Sequence, residues 1–546
     1  MATVVEQAFL LQTINQMVGT VGYDAVIICT SNINQERYWQ KRLEATRGQA
    51  AREGALILAV HEDWGADGAG NGLGTLYAYT KARAKAQNDF SIDLDAKIAA
   101  GWSVAMFHTA GKGTRLAPLP GSENNNKPGV KLPSVVMVDG APKELTILEA
   151  VIRQTNSYAP HRKGRCSVFW GDQVFVPSAG TPASGAHHAD ILACLGPMPS
   201  EQEWAQRGLE KYGLIAVNAA GEAAQVEKVS YQTATALLAT FGEIAKVGAS
   251  LGSFSLSATL LAALLTEFAP EITAKVAKLD SDPHFWMPMT LSAEAYQSVM
   301  GQKKVSKEEA GAHYTRMAAF KNAFCAQTGS TAVLGSIDAG SNCYWWDYGL
   351  IKLYQKNNLL TTVDSPEAEA LRTFLGIQLE RTKGSSLGAT VDDASVVLAS
   401  DVKAGTIKRS VLSSPRPGSI LINVCAKSVR GKNLVLYNVV DDSDDGLSLP
   451  DGTVRADICM PGKGKVVMTS MTSSIETDGG TMSRLTPANV VMTSSMETDG
   501  GTMWKVRMDG NDMSFEEAYN ANGSVDLLEA QKMLAEARAA AMVCLK

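Results

Sequence analysis

The sequence predicts an α/β protein in which a parallel sheet covered by helices fills the first two thirds and a β-rich domain follows. Three observations predict it. Apolar runs and a stretch of helical period alternate from Tyr23 to Val60, giving strand, helix, strand. The buried-strand pattern Ser103–His108 runs directly into the glycine loop Ala110-Gly111-Lys112-Gly113-Thr114. From Ala389 onward, short β-branched runs alternate with turns, a shift of composition that marks a second domain.

At 546 residues the chain has length for roughly two to four domains, and its apolar content suits a large core. Its net charge of −6 and lack of a basic run exclude a nucleic-acid polymer as partner. No apolar run approaches the ~20 residues needed to span a bilayer, and Glu6 stands where a signal peptide has a basic flank, so a cytoplasmic protein with no membrane partner is expected. The eight cysteines form no C-x-x-C pair and read as reduced, small hydrophobic side chains.

Taken in order, residues 3–20 read as a helix, Tyr23–Cys29 as a strand, 35–52 as a helix and Ala55–Val60 as a second strand. The glycines at 65, 68, 70, 72 and 74 then predict a mobile loop that ends in a helix N-terminus near Thr75. After Ser103–His108, glycine lets backbone N–H groups approach phosphate oxygens without a Cβ in the way. Arg115 adds a planar fork, and Lys127 and Lys131 add mobile point charges. The loop is not a Walker motif, because no G-K-S/T stands at the required spacing.

The segment AGKGTRLAPLP followed by Lys127-Pro128 resembles the signature of the sugar-1-phosphate nucleotidyltransferases. Gly70-Asn71-Gly72-Leu73-Gly74-Thr75-Leu76, lying ahead of that loop, resembles a segment of the fucose-1-phosphate guanylyltransferase and fucokinase group. The resemblance implies a Rossmann-like nucleotidyltransferase domain with permuted strand order. It also implies nucleotide binding by Gly72, Gly74, Thr75, Ala110, Gly111, Gly113 and Thr114. Arg115 would balance the β and γ phosphates, and either Lys127 or Lys131 the α phosphate.

An aspartate at the carboxyl end of the strand Cys166–Trp170 can hold Mg²⁺ against phosphates, which makes Asp172 the first metal candidate. Trp345-Trp346-Asp347-Tyr348-Gly349 matches the family's W-x-D-x-G segment and implies Asp347 as the second. By the same resemblance Gly213 lets the sugar lie against the backbone, Glu227 binds sugar hydroxyls and Lys228 the sugar phosphate. His284, beside aromatic residues, joins them as a candidate substrate contact.

The expected domains are a catalytic unit over 1–365 with a helical sugar-side lobe near 252–330, a helical linker over 366–386, a parallel β-helix over 387–510, and a helical tail over 511–546. Within the third, SIETDGGTM recurs as SMETDGGTM. A chain ending near Arg381 is expected to keep a folded α/β unit, and the β-helix offers a surface for a homo-oligomer. The implied reaction joins a nucleoside triphosphate, GTP or UTP, to a sugar 1-phosphate with Mg²⁺. A non-catalytic sugar-nucleotide sensor and a β-helix acyltransferase are the competing classes, and the absence of histidine from the β-rich region speaks against the second.

Overall fold

The computed structural model describes residues 4–544 except 20, 66–67, 110, 112, 181–186, 207, 240, 341, 378–385, 388–389, 392–395, 399–400, 408–418, 461–463, 474–480, 484–512 and 524. Ala110 and both copies of the repeated nonapeptide, apart from Thr481 and Met482, therefore lie outside the described residues.

The first two thirds are built on strands β1 (Ala25–Thr30), β2 (Leu56–His61), β3 (Ser103–His108), β4 (Lys131–Val138), β5 (Ala141–Thr146), β6 (Arg165–Trp170), β7 (Gln173–Val176), β8 (Ala189–Gly196), β9 (Gly213–Asn218), β10 (Ala223–Glu227), β11 (Ile244–Ser257), β12 (Leu334–Asp338) and β13 (Tyr344–Asp347). The main sheet runs β10-β9-β11-β6-β3-β1-β2, with β8 on β11 and β12 on β8. Strands β2, β1, β3 and β6 are parallel, and they are apolar almost throughout because helices cover both faces. Their register aligns Cys29, His108 and Trp170 in one row, so the loops that follow β1, β3 and β6 leave the same edge. Two small antiparallel ladders, β4 with β5 and β7 with β13, stand beside the sheet.

Three sequence readings are corrected. The helix expected over 35–52 is α2, Ile33–Ala45, started by the Asn32 side chain accepting from the Gln35 N–H. The loop expected up to Thr75 is already helix from Gly70, since α3 spans Gly70–Phe90. Residues 252–257, assigned to a helical lobe, are the end of β11, which pairs with β6, β8 and β9. Along one edge its first half pairs with β9 and its second half with β6, while β8 takes the other edge.

In the β-rich part, Ser386–Leu387, Asp401–Ile407, Cys425–Arg430 and Leu447–Ser448 form one parallel ladder. Val396–Leu398, Ile420–Ile422, Val435–Tyr437 and Thr453–Met460 form another. These strands alternate between the ladders along the chain, with connections of unequal length, which is why the sequence shows no regular hexad. The second ladder ends in antiparallel strands, Gly464–Ser473 and Thr481–Ser483.

One apolar cluster joins the two parts: Leu116, Leu119, Val130 and Leu132 pack with Ile420, Tyr437, Val454, Ile458 and Phe515. Gly121 lies directly under Ile458 and Phe515, where a side chain would not fit. The tail is two helices, Phe515–Asn522 and Leu527–Cys544; Leu527 and Ala541 are buried, whereas Leu528 is exposed.

Candidate functional site

The carboxyl edge of the parallel strands carries the site. Thr109 begins the glycine loop by bonding the Cys29 carbonyl through both its N–H and its hydroxyl, which pins the loop to β1. Gly111 has φ of 135° and open space where a Cβ would stand. Its N–H reaches the Ser31 hydroxyl at 3.4 Å. Gly113 also has positive φ, and it packs against the Lys127 stem. The next turn, Thr114–Leu116, holds Arg115 exposed, with no ion pair among the described residues.

Lys127 bonds the Asp172 carboxylate directly. Asp172 follows β6 by two residues, and Asp347 closes β13, which pairs with β7 so that Asp347 faces Gln173. The Tyr348 N–H donates to the Asp172 carbonyl at 2.8 Å, extending that ladder by one bond. The Gly349 N–H donates to Asp347 Oδ1 at 2.6 Å, and Asn357 holds the Asp347 carbonyl at 2.7 Å. A Cβ on Gly349 would stand 2.7 Å from Asp172 Oδ2 and 3.0 Å from Asp347 Oδ1, so both carboxylates converge on this glycine. Burial, and then the neighbouring Asp172 carboxylate, push the Asp347 carboxyl up to about 6, against the Gly349 N–H, Lys127 and Arg115.

Lys131 goes elsewhere. Its ammonium bonds Glu123 and lies 3.3 Å from the Tyr437 hydroxyl, which itself bonds Glu123. Burial alone would push this ammonium down, and Glu123 and Glu144 outweigh that, leaving it raised. Lys131 therefore belongs to the seam between the two parts, and of the two lysines Lys127 stands at the carboxylates.

The α3 N-terminus is closed rather than open. Glu62 accepts from the Ala69 N–H at 2.8 Å, Asp280 from Asn71 at 2.9 Å, and the Leu279 carbonyl from Gly72 and Leu73. These acceptors satisfy the orphan donors that a phosphate would otherwise take, and they offset the cost of glycines in a first turn. Gly72 is small because Leu279 and Phe285 press on it. Gly74 and Thr75 are likewise buried, and the Thr75 hydroxyl bonds the Asn71 carbonyl and His108 Nε2. Gly72, Gly74 and Thr75 thus pack the helix start. His108 itself is kept neutral by burial, which pushes it down to about 4. Its ring lies 5.6 Å from Trp170, and sequence reasoning missed both residues, although both end strands that lead into site loops.

On the far side, Gly213 starts β9 opposite Glu227, whose carboxylate pairs with Lys303 at 2.8 Å. Lys228 is exposed with φ of 53° and has no side-chain partner among the described residues. His284 serves the local fold, since its Nδ1 accepts the Asp280 N–H at 2.9 Å and closes the turn before it. Among the described residues its ring makes no hydrogen bond to the Gly213 and Glu227 strands.

Among the described residues no group of three or more His, Cys, Asp and Glu side chains gathers as a metal cluster. The Asp172–Asp347 pair nonetheless fits Mg²⁺, which takes one or two carboxylates and completes its shell with water and phosphate oxygens.

Fold and site together define an α/β protein with cations and paired carboxylates at the carboxyl edge of a parallel sheet, the position where open sheets bind ligands. No known family profile matches the chain, and no curated protein matches it. Among solved structures it is similar to a mannose-1-phosphate geranyltransferase from Thermus thermophilus, with 11% identity over 82% of this chain and 95% of that chain and a TM-score of 0.20. The fold is defined by the sheet topology. Among the described residues no helix is long and apolar enough to cross a membrane.

Proposed function

We propose that the protein transfers a nucleotidyl group from a nucleoside triphosphate to a sugar 1-phosphate. One observation carries this reading: Arg115, Lys127, Asp172 and Asp347, brought from four separate segments, share the edge onto which the open Gly111 loop faces. A sugar phosphate oxygen would attack the α-phosphorus in line as the bond to the β-phosphate oxygen breaks and pyrophosphate leaves. That nucleophile is already an anion, so no general base is required, and positioning with charge neutralisation supplies the rate. Asp172 and Asp347 would hold Mg²⁺, which when bound neutralises phosphate charge. Arg115 would meet the β and γ phosphates, Lys127 the α-phosphate once released from Asp172, and Lys228 the sugar phosphate. The two alternating ladders read as a β-helix that braces the loop from below through Glu123 and Tyr437.

GTP with fucose 1-phosphate is the first pair to try and UTP with a hexose 1-phosphate the second. Pyrophosphate release over four nucleoside triphosphates and a panel of sugar 1-phosphates tests the reading. Turnover of at least one pair, strictly dependent on Mg²⁺, is expected; binding of nucleotide sugar without any turnover would make the protein a sensor instead.

A further inference from the structure

Two cysteines that stand far apart in the sequence, with no paired motif between them, meet in the fold. Cys194 Sγ on β8 and Cys343 Sγ, at the residue before β13, lie 2.8 Å apart across 149 residues of chain. Both are free thiols and both are half-buried, and the exposed Asn342 borders Cys343. Their separation exceeds an S–S bond of ~2.05 Å by less than about 1 Å, so closing the bond asks for little backbone movement.

The backbone around the pair is already fixed. On either side of Cys194, the Ala193 carbonyl accepts the Ala339 N–H at 2.9 Å and the Leu195 N–H donates to Asp338 Oδ1 at 3.2 Å. Asp338 Oδ1 also accepts the Gly340 N–H at 2.8 Å, and the Ala339 carbonyl accepts the Ser178 N–H at 2.8 Å. The turn that leads from β12 toward Cys343 is thus tied both to β8 and to the segment after β7. Beyond Cys343, among the described residues β13 pairs with β7 alone, in a two-stranded ladder outside the main sheet, and Asp347 ends that strand. A bond from Cys194 to Cys343 would join this ladder covalently to the main sheet.

The two thiols are not equivalent. The hydrogen bond from Cys194 lowers the Cys343 thiol, while the same contact, and then burial, raise Cys194. Cys343, beside the exposed Asn342, is therefore the attacking sulfur and Cys194 the resolving one.

We propose that Cys194 and Cys343 form a redox modification site, a reversible disulfide that fastens the Asp347-bearing ladder to the main sheet. The co-reactant is a low-molecular-weight disulfide. The Cys343 sulfur gives up its proton and attacks one sulfur of that reagent, and a first thiol leaves with the proton. The Cys194 sulfur then attacks Cys343 Sγ, and a second thiol leaves with the Cys194 proton. Two protein thiols are oxidised to one S–S bond, and one reagent disulfide is reduced to two thiols. The closed form constrains a long stretch of the unfolded chain, so it stabilises the fold more than a short-range link would. The site does not depend on the nucleotidyl-transfer reading, since it involves two sulfurs and the strands that hold them.

The experiment incubates the full-length protein with oxidised glutathione or with dithiothreitol, alkylates it under denaturing conditions and maps it by mass spectrometry. Oxidised wild type should lose two hydrogen atoms in mass and yield a linked peptide containing Cys194 and Cys343, reversed by dithiothreitol. Its Tm should lie at least about 3 °C above that of the reduced form. Cys194→Ser should instead keep a glutathione on Cys343, because no resolving thiol follows, and neither it nor Cys343→Ser should gain Tm on oxidation. If the wild type stays reduced, keeps a glutathione adduct or links either cysteine to a third, the proposal is overturned. It is overturned as well if the bond forms and the Tm does not rise. The mass and Tm of the wild type decide both points even where a serine variant fails to fold.

Discussion

The Tyr348 N–H donates to the Asp172 carbonyl at 2.8 Å, and through this bond two carboxylates from distant parts of the chain come to share one glycine as neighbour. The bond continues the β7–β13 ladder past its last pair, Asp347 with Gln173. Asp347 is thereby delivered beside the end of β6, where Asp172 and its partner Lys127 already stand.

Gly349→Ala tests that geometry. The new methyl would meet Asp172 Oδ2 at 2.7 Å and Asp347 Oδ1 at 3.0 Å, so one carboxylate must move. Gly349 is not among the glycines with positive φ, so the backbone accepts alanine. Turnover should fall by ~100-fold, as for an ångström-scale misplacement, with Tm within a few degrees of wild type. Full activity in this variant would dissociate the pair from function.

The two lysines should separate by readout. Lys127→Ala and Arg115→Ala should each lower kcat/KM by about 100-fold or more, the scale of removing one preorganised donor, and leave stability nearly unchanged. Lys131→Met strands Glu123 in the buried seam and should destabilise the protein by about 3–5 kcal/mol in urea titration. A stable, inactive Lys131→Met would return that residue to the site.

The pH dependence of stability should report Asp347. Its folded carboxyl titrates near 6, above the unfolded value, so the folded state holds the extra proton between roughly pH 4 and 6. The associated stability is present below pH 4 and lost as pH rises through 6. Asp347→Asn should therefore stabilise the metal-free protein by about 2–3 kcal/mol at pH 8 and by little at pH 4. Saturating Mg²⁺ should raise the Tm of the wild type at pH 8 but not that of the variant. An equal Mg²⁺ shift in both would locate the ion elsewhere.

A chain truncated after Arg381 should lose stability, against the expectation from composition alone. Truncation uncovers Leu116, Leu119 and Val130 and leaves Glu123 without Tyr437. Those losses fall on the segment that supports Arg115 and Lys127. Loss of a cooperative melting transition is expected by calorimetry, and a wild-type melt would show that the seam contributes nothing.

Sequence by itself determined the parallel strands, because β1, β3 and β6 are buried on both faces and must be apolar at successive positions, a pattern that survives any choice of neighbours. It also determined the residue types at the edge, since the glycine loop and the cations Arg115 and Lys127 stand in one short stretch of chain. Tertiary structure alone decided which lysine faces Asp172: Lys127 and Lys131 are four residues apart, and the choice hangs on Glu123 and Tyr437, the latter more than 300 residues away. It decided the glycines of α3 as well. Their pattern reads as an open phosphate loop until Glu62, Asp280 and the Leu279 carbonyl arrive to take the N–H groups. Periodicity reports the face a residue occupies, whereas its partners are set by contacts between segments that no local pattern encodes.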